Sequence, residues 1–192
     1  MLKLVVAMTG ASGAPYAERL LRHLQRVPRD KLEVAVVFSK TGEKVWQHEV
    51  AHTDDVTGFH RYAPDDFSAP FASGSGGYGA MVVIPCSVGS LGRMAHGVSQ
   101  DLVGRAADVM LKERRKLVLV VRETPLSLLH IENMRLLTLA GAVILPASPS
   151  FYGKPQSIDD LLDTVVGRVL DHLDVPVLVG PRWSNHKMEA KI

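Results

Sequence analysis

Two charged residues, Arg122 and Glu123, directly follow the apolar run Lys116–Val121. A strand of a parallel sheet delivers its last side chains to the edge at which ligands bind. An arginine at that edge can hold a phosphate through paired hydrogen bonds, and a glutamate beside it can donate or accept a proton. This position favours a functional role, although Glu123 could instead cap the next helix or balance the charge of Arg122.

Further charged and hydroxyl side chains lie on predicted helices and near the end of the chain. Arg105, Asp108 and Lys112 are spaced by three and four residues, which places them close to one helix face. Ion pairing within the helix accounts for Asp108, whereas Arg105 and Lys112 could either face solvent or bind an anion. Tyr152 and Arg168 could add a hydroxyl group and a cation to the same anion.

A glycine turn near the start of the chain offers backbone donors. Residues 8–14 read Met-Thr-Gly-Ala-Ser-Gly-Ala and join an apolar run to an amphipathic segment, which predicts a strand, a turn and a helix. The glycines allow a tight turn that points N–H groups and the positive end of the helix at an anion or a flat polar ring. An ordinary turn between a strand and a helix would show the same pattern.

The residues around this turn indicate a mononucleotide rather than a dinucleotide. A dinucleotide site would carry Gly-x-Gly-x-x-Gly and an acidic residue at the end of the second strand, where this chain has Ser39 and Lys40. Serines follow three predicted strands, at Ser12, at Ser39, and at Ser87 with Ser90. Their hydroxyl groups suit the phosphate monoester and polyol chain of FMN, although Ser87 could simply cap a helix.

Strands and helices that could position these residues alternate along the chain. Five apolar runs rich in valine and isoleucine do not alternate with polar residues, as expected of strands covered on both faces. The runs are 2–7, Leu32–Phe38, 80–85, Lys116–Val121 and 142–146. Helical patterns occur at 17–25, 41–49, 102–115, 126–140 and 158–173. This order predicts an open parallel sheet with helices on both sides and the polar residues at its carboxyl edge.

Composition limits the class of protein. The chain has 192 residues, of which 46% are hydrophobic and 22% charged, with a net charge of +2, as in a soluble single domain without general attraction to nucleic acid or anionic membranes. The single cysteine, Cys86, favours a reducing, cytoplasmic location. Histidine and cysteine spacing predicts no metal site, and no apolar run reaches the roughly 20 residues of a membrane span.

Two stretches interrupt the alternation. Residues 52–79 are polar and rich in glycine, and we expect them to form a mobile lid or a loop between subunits. The tail from Asp174 carries Pro176, Pro181 and Trp183 without helical periodicity, so we expect an arm that docks elsewhere. Residues 1–192 otherwise form one domain in this interpretation.

These motifs together resemble the flavin prenyltransferases of the UbiX family, long described as aromatic-acid decarboxylases. The resemblance covers nearly the whole chain, and its most specific motifs are 8–14, 85–91, 105–108, 111–115, 122–125, 130–134, 141–146 and 151–152. It implies an α/β, Rossmann-like (flavodoxin-like) three-layer sandwich with a central parallel sheet, assembled as a homo-oligomer, typically a dodecamer. It also implies a metal-independent transferase that joins the dimethylallyl group of dimethylallyl phosphate to N5 and C6 of reduced FMN. The prenylated FMN would pass to a UbiD-type decarboxylase.

The resemblance also assigns roles to residues. The positions that match FMN-binding residues are Gly10, Ala11, Ser12, Ser39, Ser87, Val88, Gly89, Ser90 and Arg122. The implied catalytic residues are Ser12 near flavin N5, Glu49 beside flavin and substrate, Lys112, and Glu123 as the proton donor to the departing phosphate. The implied substrate-binding residues are Phe67, Arg105, Lys112, Tyr152, Arg168 and Trp183.

Two departures from the family pattern affect the substrate pocket. Phe67 stands where many members have tryptophan, and Gln100-Asp101 stands where many have Asn-Asn. They leave open the preference for dimethylallyl phosphate over its pyrophosphate. Two other functions also stay open: a flavin-dependent decarboxylase of the cysteine decarboxylase group, whose Pro-Ala-Ser-Ala-Asn-Thr motif is missing here, and a non-catalytic FMN carrier.

Overall fold

The computed structural model describes residues 1–50 and 58–182. The strands are β1 (Leu2–Met8), β2 (Leu32–Phe38), β3 (His60–Tyr62), β4 (Ala80–Cys86), β5 (Lys116–Val121) and β6 (Val143–Pro146). The helices are α1 (Ala14–Leu24), α2 (Lys40–Glu49), α3 (Val88–Ala95), α4 (Leu102–Lys112), α5 (Leu128–Leu139) and α6 (Ile158–His172). Two short 3-10 turns, Pro70–Ala72 and Gly74–Gly76, precede β4.

The strands form one parallel sheet in the order β3-β2-β1-β4-β5-β6. Without the short edge strand β3, the order is that of flavodoxin-like folds. The predicted α/β sandwich with a central parallel sheet is therefore confirmed. The order reverses between β1 and β4, and in such sheets the crevice at that point, beyond the carboxyl ends of the strands, receives the ligand.

Both faces of the sheet are covered, as β1 shows. Five consecutive side chains of β1 are fully buried. Leu4, Val6 and Met8 pack in one core layer with side chains of α1 and α6, whereas Val5 and Ala7 pack in the other with α3 and α4. Burial on both faces explains why the apolar runs do not alternate with polar residues.

Most element ends lie within a few residues of the predicted ones, and two differences have clear causes. Helix α1 begins at Ala14 rather than at residue 17, because Pro15 fits the first turn of a helix, where no backbone donor is needed. Helix α4 ends at Lys112 rather than at residue 115, because Arg114 adopts a left-handed φ of 53° that ends the helix.

The long polar stretch before β4 is more ordered than predicted. Its described part, residues 58–79, contributes β3 to the edge of the sheet, and Leu102 N donates to Pro64 O at 2.7 Å. Phe71 is fully buried, and its ring packs edge-on against Tyr62 and Tyr78, with centroids 5.0 and 5.4 Å apart. This aromatic cluster packs residues 58–79 onto the chain's own core and argues against a mobile lid, whereas the alternative of a loop between subunits stays a prediction. Residues 51–57 lie outside the described residues.

The tail after α6 packs on its own chain. Val175 and Val179 are buried in the same core layer as α6, and a Cβ atom at Gly167 would overlap the carbonyl oxygen of Val179. The expected arm therefore begins against the domain that carries it. Trp183, assigned to substrate binding, lies outside the described residues. No helix within the described ranges is both long and apolar enough to cross a membrane.

Candidate active site

The glycine turn between β1 and α1 binds a carboxylate of the same chain. Glu49 Oε2 accepts hydrogen bonds from Gly13 N at 2.8 Å and from Ala14 N at 2.9 Å. Gly13 has a φ of 122°, which favours glycine because other residues have a Cβ atom. The backbone donors at the start of α1, expected to meet a phosphate, are thus already occupied by Glu49.

The electrostatic surroundings keep Glu49 ionised. Burial alone would raise the pKa of Glu49, but hydrogen bonds from Gly13, Ser12 and Ala14 and the positive charge of Arg122 together hold that pKa below its ordinary value. Glu49 is therefore an anion at neutral pH, suited to accept hydrogen bonds and to stabilise positive charge rather than to donate a proton.

Close packing of α2 on this turn explains the glycine at position 10. A Cβ atom at Gly10 would lie 2.5 Å from Thr41 Oγ1 and 2.7 Å from Thr41 Cβ. The adjoining Ser39 is buried, its amide donates to Met8 O at 2.9 Å, and its hydroxyl accepts from Gly42 N at 3.0 Å as the cap of α2. Ser39 is therefore fixed beside the glycine turn.

A second turn, between β4 and α3, is tied to the first by a buried threonine. Thr9 Oγ1 donates to Pro85 O at 3.0 Å and accepts from Ser87 N at 2.7 Å. Ser87 Oγ accepts from Ser90 N at 3.3 Å, so Ser87 does cap α3. Val88 and Gly89 begin this helix, so their amides have no acceptor within it and are available for an anion.

Arg122 joins both turns from the end of β5. Its Nε donates to Ser12 O at 2.8 Å, and its backbone N donates to Cys86 O at 3.3 Å. Glu123 Oε1 accepts from Thr124 N at 3.0 Å, while Ser127 caps α5, so Glu123 is not the cap of that helix. The half-buried Arg122 and Glu123 lie at the carboxyl edge, as the sequence predicts.

Lys112 lies away from this edge, whereas Phe67 follows the end of β3 by five residues and is 51% exposed. Arg105 Nε donates to Ala72 O at 2.9 Å, and Lys112 Nζ donates to Glu113 Oε1 at 2.5 Å. Lys112 precedes the first residue of β5, whereas Arg122 follows its last, and six residues of strand span about 20 Å. Lys112 therefore cannot reach the turns of its own chain.

Tyr152 and Arg168 share a cleft of about 380 Å³ between the loop after β6, helix α6 and the tail. Tyr152 Oη donates to Pro181 O at 2.9 Å, and Arg168 Nη1 donates to Asp171 Oδ2 at 2.8 Å. The structure thus brings these two residues together. The residues that line this cleft include none from the two turns and not Lys112.

Comparison with known proteins gives these features a family. A family model described as Flavoprotein matches residues 1–170. The flavin prenyltransferase UbiX of Pseudomonas aeruginosa is 43% identical over 203 residues, covering 97% of this chain and 96% of that protein. This chain belongs to the UbiX flavin prenyltransferase family.

Solved structures agree with that membership. A dodecameric FMN-dependent UbiX-like decarboxylase from Escherichia coli O157:H7 has a TM-score of 0.89 and 41% identity, covering 95% of this chain and 99% of that one. AnUbiX (PadA1), solved with FMN and dimethylallyl pyrophosphate, has a TM-score of 0.86 and 43% identity, covering 95% and 97%. The resemblance inferred from the sequence motifs is confirmed.

The rival decarboxylase group shares only the fold. The FMN-dependent cysteine decarboxylase TvaF has a TM-score of 0.60 but 13% identity. That likeness supports the sheet architecture and carries no function to this chain. The cysteine decarboxylase alternative is therefore not favoured.

The residues at the two turns fit FMN, the nucleotide of UbiX-type flavoproteins. Because Glu49 occupies the amides of α1, the phosphate is left with the unpaired first amides of α3 and the hydroxyls of Ser87 and Ser90. Gly10 and Ser12 are exposed to solvent, so a flat ring could approach the turn at these residues. The cradle, defined here as residues 10–14, Ser39, Glu49, 87–90 and 122–123, contains the residues predicted to bind FMN together with Glu49 and Glu123; their roles stay predictions.

Two residues that hold the cradle in place were not assigned this role from the sequence. Thr9 links the two turns, and Arg93 Nη2 donates to Ser90 Oγ at 2.9 Å. The spacing of three residues between Ser90 and Arg93 on one helix was an available signal. The only sequence signal for Thr9 was a hydroxyl group at the end of an apolar run. Its hydrogen bond to Pro85 could not be predicted from local sequence, because the two residues are 76 positions apart.

Cys86 shows no sign of reactive chemistry. Burial raises the pKa of the fully buried Cys86 thiol to about 12, so the nucleophilic thiolate is scarce at neutral pH. Within residues 1–50 and 58–182, no group of His, Cys, Asp or Glu side chains is arranged to hold a metal ion.

Proposed function

We propose that this chain is a flavin prenyltransferase that joins the dimethylallyl group of dimethylallyl phosphate to N5 and C6 of reduced FMN. The observation that carries the proposal is the cradle, in which Ser12 is held between Glu49 and Arg122. Membership of the UbiX family supports the reaction, and AnUbiX was solved with FMN and a dimethylallyl pyrophosphate. The product is prenylated FMN.

The cradle's role is to bind the flavin and orient its reacting edge. Val88, Gly89, Ser90 and Arg122 hold the phosphate end, with Ser39 and Ser87 beside it, and Gly10, Ala11 and Ser12 face the ring. When bound, reduced FMN would supply an electron-rich ring: the N5–carbon bond would replace the allylic carbon–oxygen bond with loss of the N5 proton. The bond to C6 would form as the alkene takes up a proton and C6 loses one. The ionised Glu49 stabilises the positive charge that develops as the allylic carbon–oxygen bond breaks.

Departure of phosphate requires cations and a proton. In this proposal Lys112, Arg105 and Arg168 neutralise the phosphate oxygens, and Tyr152 donates a hydrogen bond to them. The bonding electron pair stays with the departing phosphate, and Glu123 supplies its proton. Phe67 and Trp183 form apolar walls around the isoprenyl group in this proposal. The side chain of Phe67 is 51% exposed, so part of its ring is free to contact a substrate.

Because Lys112 cannot reach the cradle of its own chain, we infer that another copy supplies it. Helix α5 supports such an assembly, since Leu128, Leu129 and Leu139 are 71%, 75% and 74% exposed and apolar residues face outward on several sides. The E. coli neighbour is described as dodecameric. We propose the same homo-oligomer here, with residues 1–192 as one domain and its C-terminal arm.

The proposal includes where the product goes. Prenylated FMN is a modified cofactor, so it must be released to an enzyme that uses it, and we propose a UbiD-type decarboxylase in the cytoplasm. The single, buried, unpaired thiol supports a reducing compartment.

Flavin mass distinguishes the candidate functions. The purified protein with reduced FMN is incubated anaerobically with dimethylallyl phosphate, and the flavin is analysed by mass spectrometry; parallel reactions use the pyrophosphate or no allylic substrate. We expect a gain of one dimethylallyl unit only with an allylic substrate. Bound flavin of unchanged mass would contradict the transferase and favour the non-catalytic FMN carrier.

A further inference from the structure

The cleft beside Tyr152 contains a second arginine that the family resemblance does not assign. Arg182, from the tail, lines this cleft together with Arg168 of α6. Its side chain is 29% exposed, against 62% for Arg168. The more buried cation of the pair is thus Arg182.

One carboxylate oxygen holds both arginines. Arg182 Nη1 donates to Asp171 Oδ2 at 2.6 Å, and Arg168 Nη1 donates to the same Oδ2 at 2.8 Å. The hydrogen bond from Arg182, against the effect of burial, and the charges of both arginines hold the pKa of Asp171 below its ordinary value. A single anion therefore keeps two guanidinium groups side by side and offsets their mutual repulsion.

Arg182 has further donors that its ion pair does not use. Its Nε and Nη2 atoms are buried and have no hydrogen-bond partner among the described residues. A buried donor without a partner is costly, and more so on a charged group. A guanidinium fork is shaped for two oxygens of one phosphate, which carries a charge of about −1.5 to −2 as a monoester at neutral pH.

We propose that Arg168 and Arg182, both positioned by Asp171, form a two-arginine clamp for the phosphate of the allylic substrate. Arg182 is then a substrate-binding residue, and Asp171 is a positioning residue that does not touch the substrate. The inference rests on the proposed function for the identity of the phosphorylated ligand. Asp171 shares its charge between two cations, so the clamp keeps net positive charge for the phosphate.

Binding without turnover tests the clamp. The protein loaded with oxidised FMN, which lacks the electron-rich ring, is titrated calorimetrically with dimethylallyl phosphate. We expect Arg182→Gln to raise Kd about ten-fold or more, the loss of one charged hydrogen-bonding group. Arg182→Lys should recover part of this affinity because it keeps the charge but not the fork. Asp171→Asn should weaken binding by a smaller factor.

Kinetics and a matched variant separate a binding role from a purely structural one. With reduced FMN, Arg182→Gln should raise KM for dimethylallyl phosphate more than it lowers kcat, and Kd for FMN should stay as in the wild type. Arg22→Gln removes another arginine that pairs with a carboxylate, Glu18, and should change none of these constants. Inorganic phosphate should compete with the substrate less well in Arg182→Gln than in Arg22→Gln.

Two results would overturn the clamp: wild-type Kd for dimethylallyl phosphate in a folded Arg182→Gln, or full recovery of Kd in Arg182→Lys together with unchanged phosphate competition. If Arg182→Gln does not fold, Arg182→Lys decides on the same constants. Failure of the proposed function looks different. In that case the wild-type chain leaves the flavin mass unchanged, while its Kd for dimethylallyl phosphate still reports on Arg182.

Discussion

The cradle and the face of α4 that carries Arg105 and Lys112 are built in different ways. In the cradle, the side chains of Glu49, Arg122 and Thr9 each bond to backbone groups of a turn. On α4, Lys112 is exposed and pairs with its neighbour Glu113, also exposed. Exposed pairs contribute little to stability, about 0–1 kcal/mol.

The contrast between the cradle and α4 indicates which part of the site one chain can form alone. The cradle is organised before any ligand binds, because the same chain supplies both the donors and the acceptors that fix it. Lys112 gains a defined geometry only against another surface or a bound phosphate, whereas Arg105 is already bonded to Ala72 O of its own chain. Flavin binding should therefore depend on one chain, and prenyl transfer on more than one.

The largest effect is expected from Lys112→Ala. Loss of a cation that meets the departing phosphate should slow prenyl transfer by about 100-fold or more, with FMN affinity unchanged. Single-turnover transfer and flavin fluorescence titration measure the two properties. Lys116→Ala is the matched control, because it removes another exposed lysine that lies at the start of β5, four residues after Lys112. Loss of FMN in Lys112→Ala would show that the two regions are not separate.

Mixed assemblies test whether the two regions come from different copies. Glu123→Gln should also abolish most transfer while retaining FMN, because the carboxyl proton is lost. Co-expressed with Lys112→Ala chains in equal amounts, it should restore roughly a quarter of the wild-type rate if each site draws the residues from different copies. A mixture no more active than either variant would place both residues in one chain.

The next effect concerns the close approach at Gly10. Gly10→Ala puts a Cβ atom 2.5 Å from Thr41 Oγ1, so it should cost about 1–3 kcal/mol of unfolding free energy and weaken FMN binding. Adding Thr41→Gly should recover part of the FMN affinity. Gly79→Ala, whose nearest atom is Leu2 Cδ1 at 3.9 Å, is the control. Chemical denaturation and FMN titration give both quantities.

A smaller effect is expected from Glu49→Gln, which should lower the unfolding free energy by about 1–2 kcal/mol at neutral pH. The pKa of Glu49 is lowered in the fold, so the carboxylate's contribution is complete above its unfolded pKa, about 4.3, and is lost as pH falls through the folded pKa. The difference between wild type and variant should therefore stay constant above about pH 5 and shrink below that. A constant difference down to pH 3 would contradict the ionised acceptor.

The smallest effect is expected from Ser87→Ala. Loss of the α3 cap should cost about 1 kcal/mol and weaken FMN binding a few-fold, because the amides at that helix end would lose part of their alignment. Ser127→Ala removes a comparable cap on α5 and should leave FMN affinity unchanged. Denaturation and flavin titration of both variants measure the contrast.

The sequence predicted the sheet, most helices and the edge at which Arg122 lies, because burial on both faces leaves a continuous apolar run that is visible locally. It did not predict β3, whose three residues sit in a polar stretch and pair with β2 only through tertiary packing. It also did not predict that Glu49 would occupy the amides of α1, since that bond joins residues 36 positions apart. Local patterns report propensity and periodicity, whereas such contacts depend on the assembled fold.

The carboxylate of Glu49 at the start of α1 also bears on how the cradle can be used repeatedly. Because this built-in anion occupies the helix end, the backbone donors of the turn have an acceptor before any nucleotide binds. In the proposed cycle, the protein is emptied each time it releases prenylated FMN. Because Glu49 already holds the glycine turn in place, the next flavin can bind without a refolding step between product release and reloading.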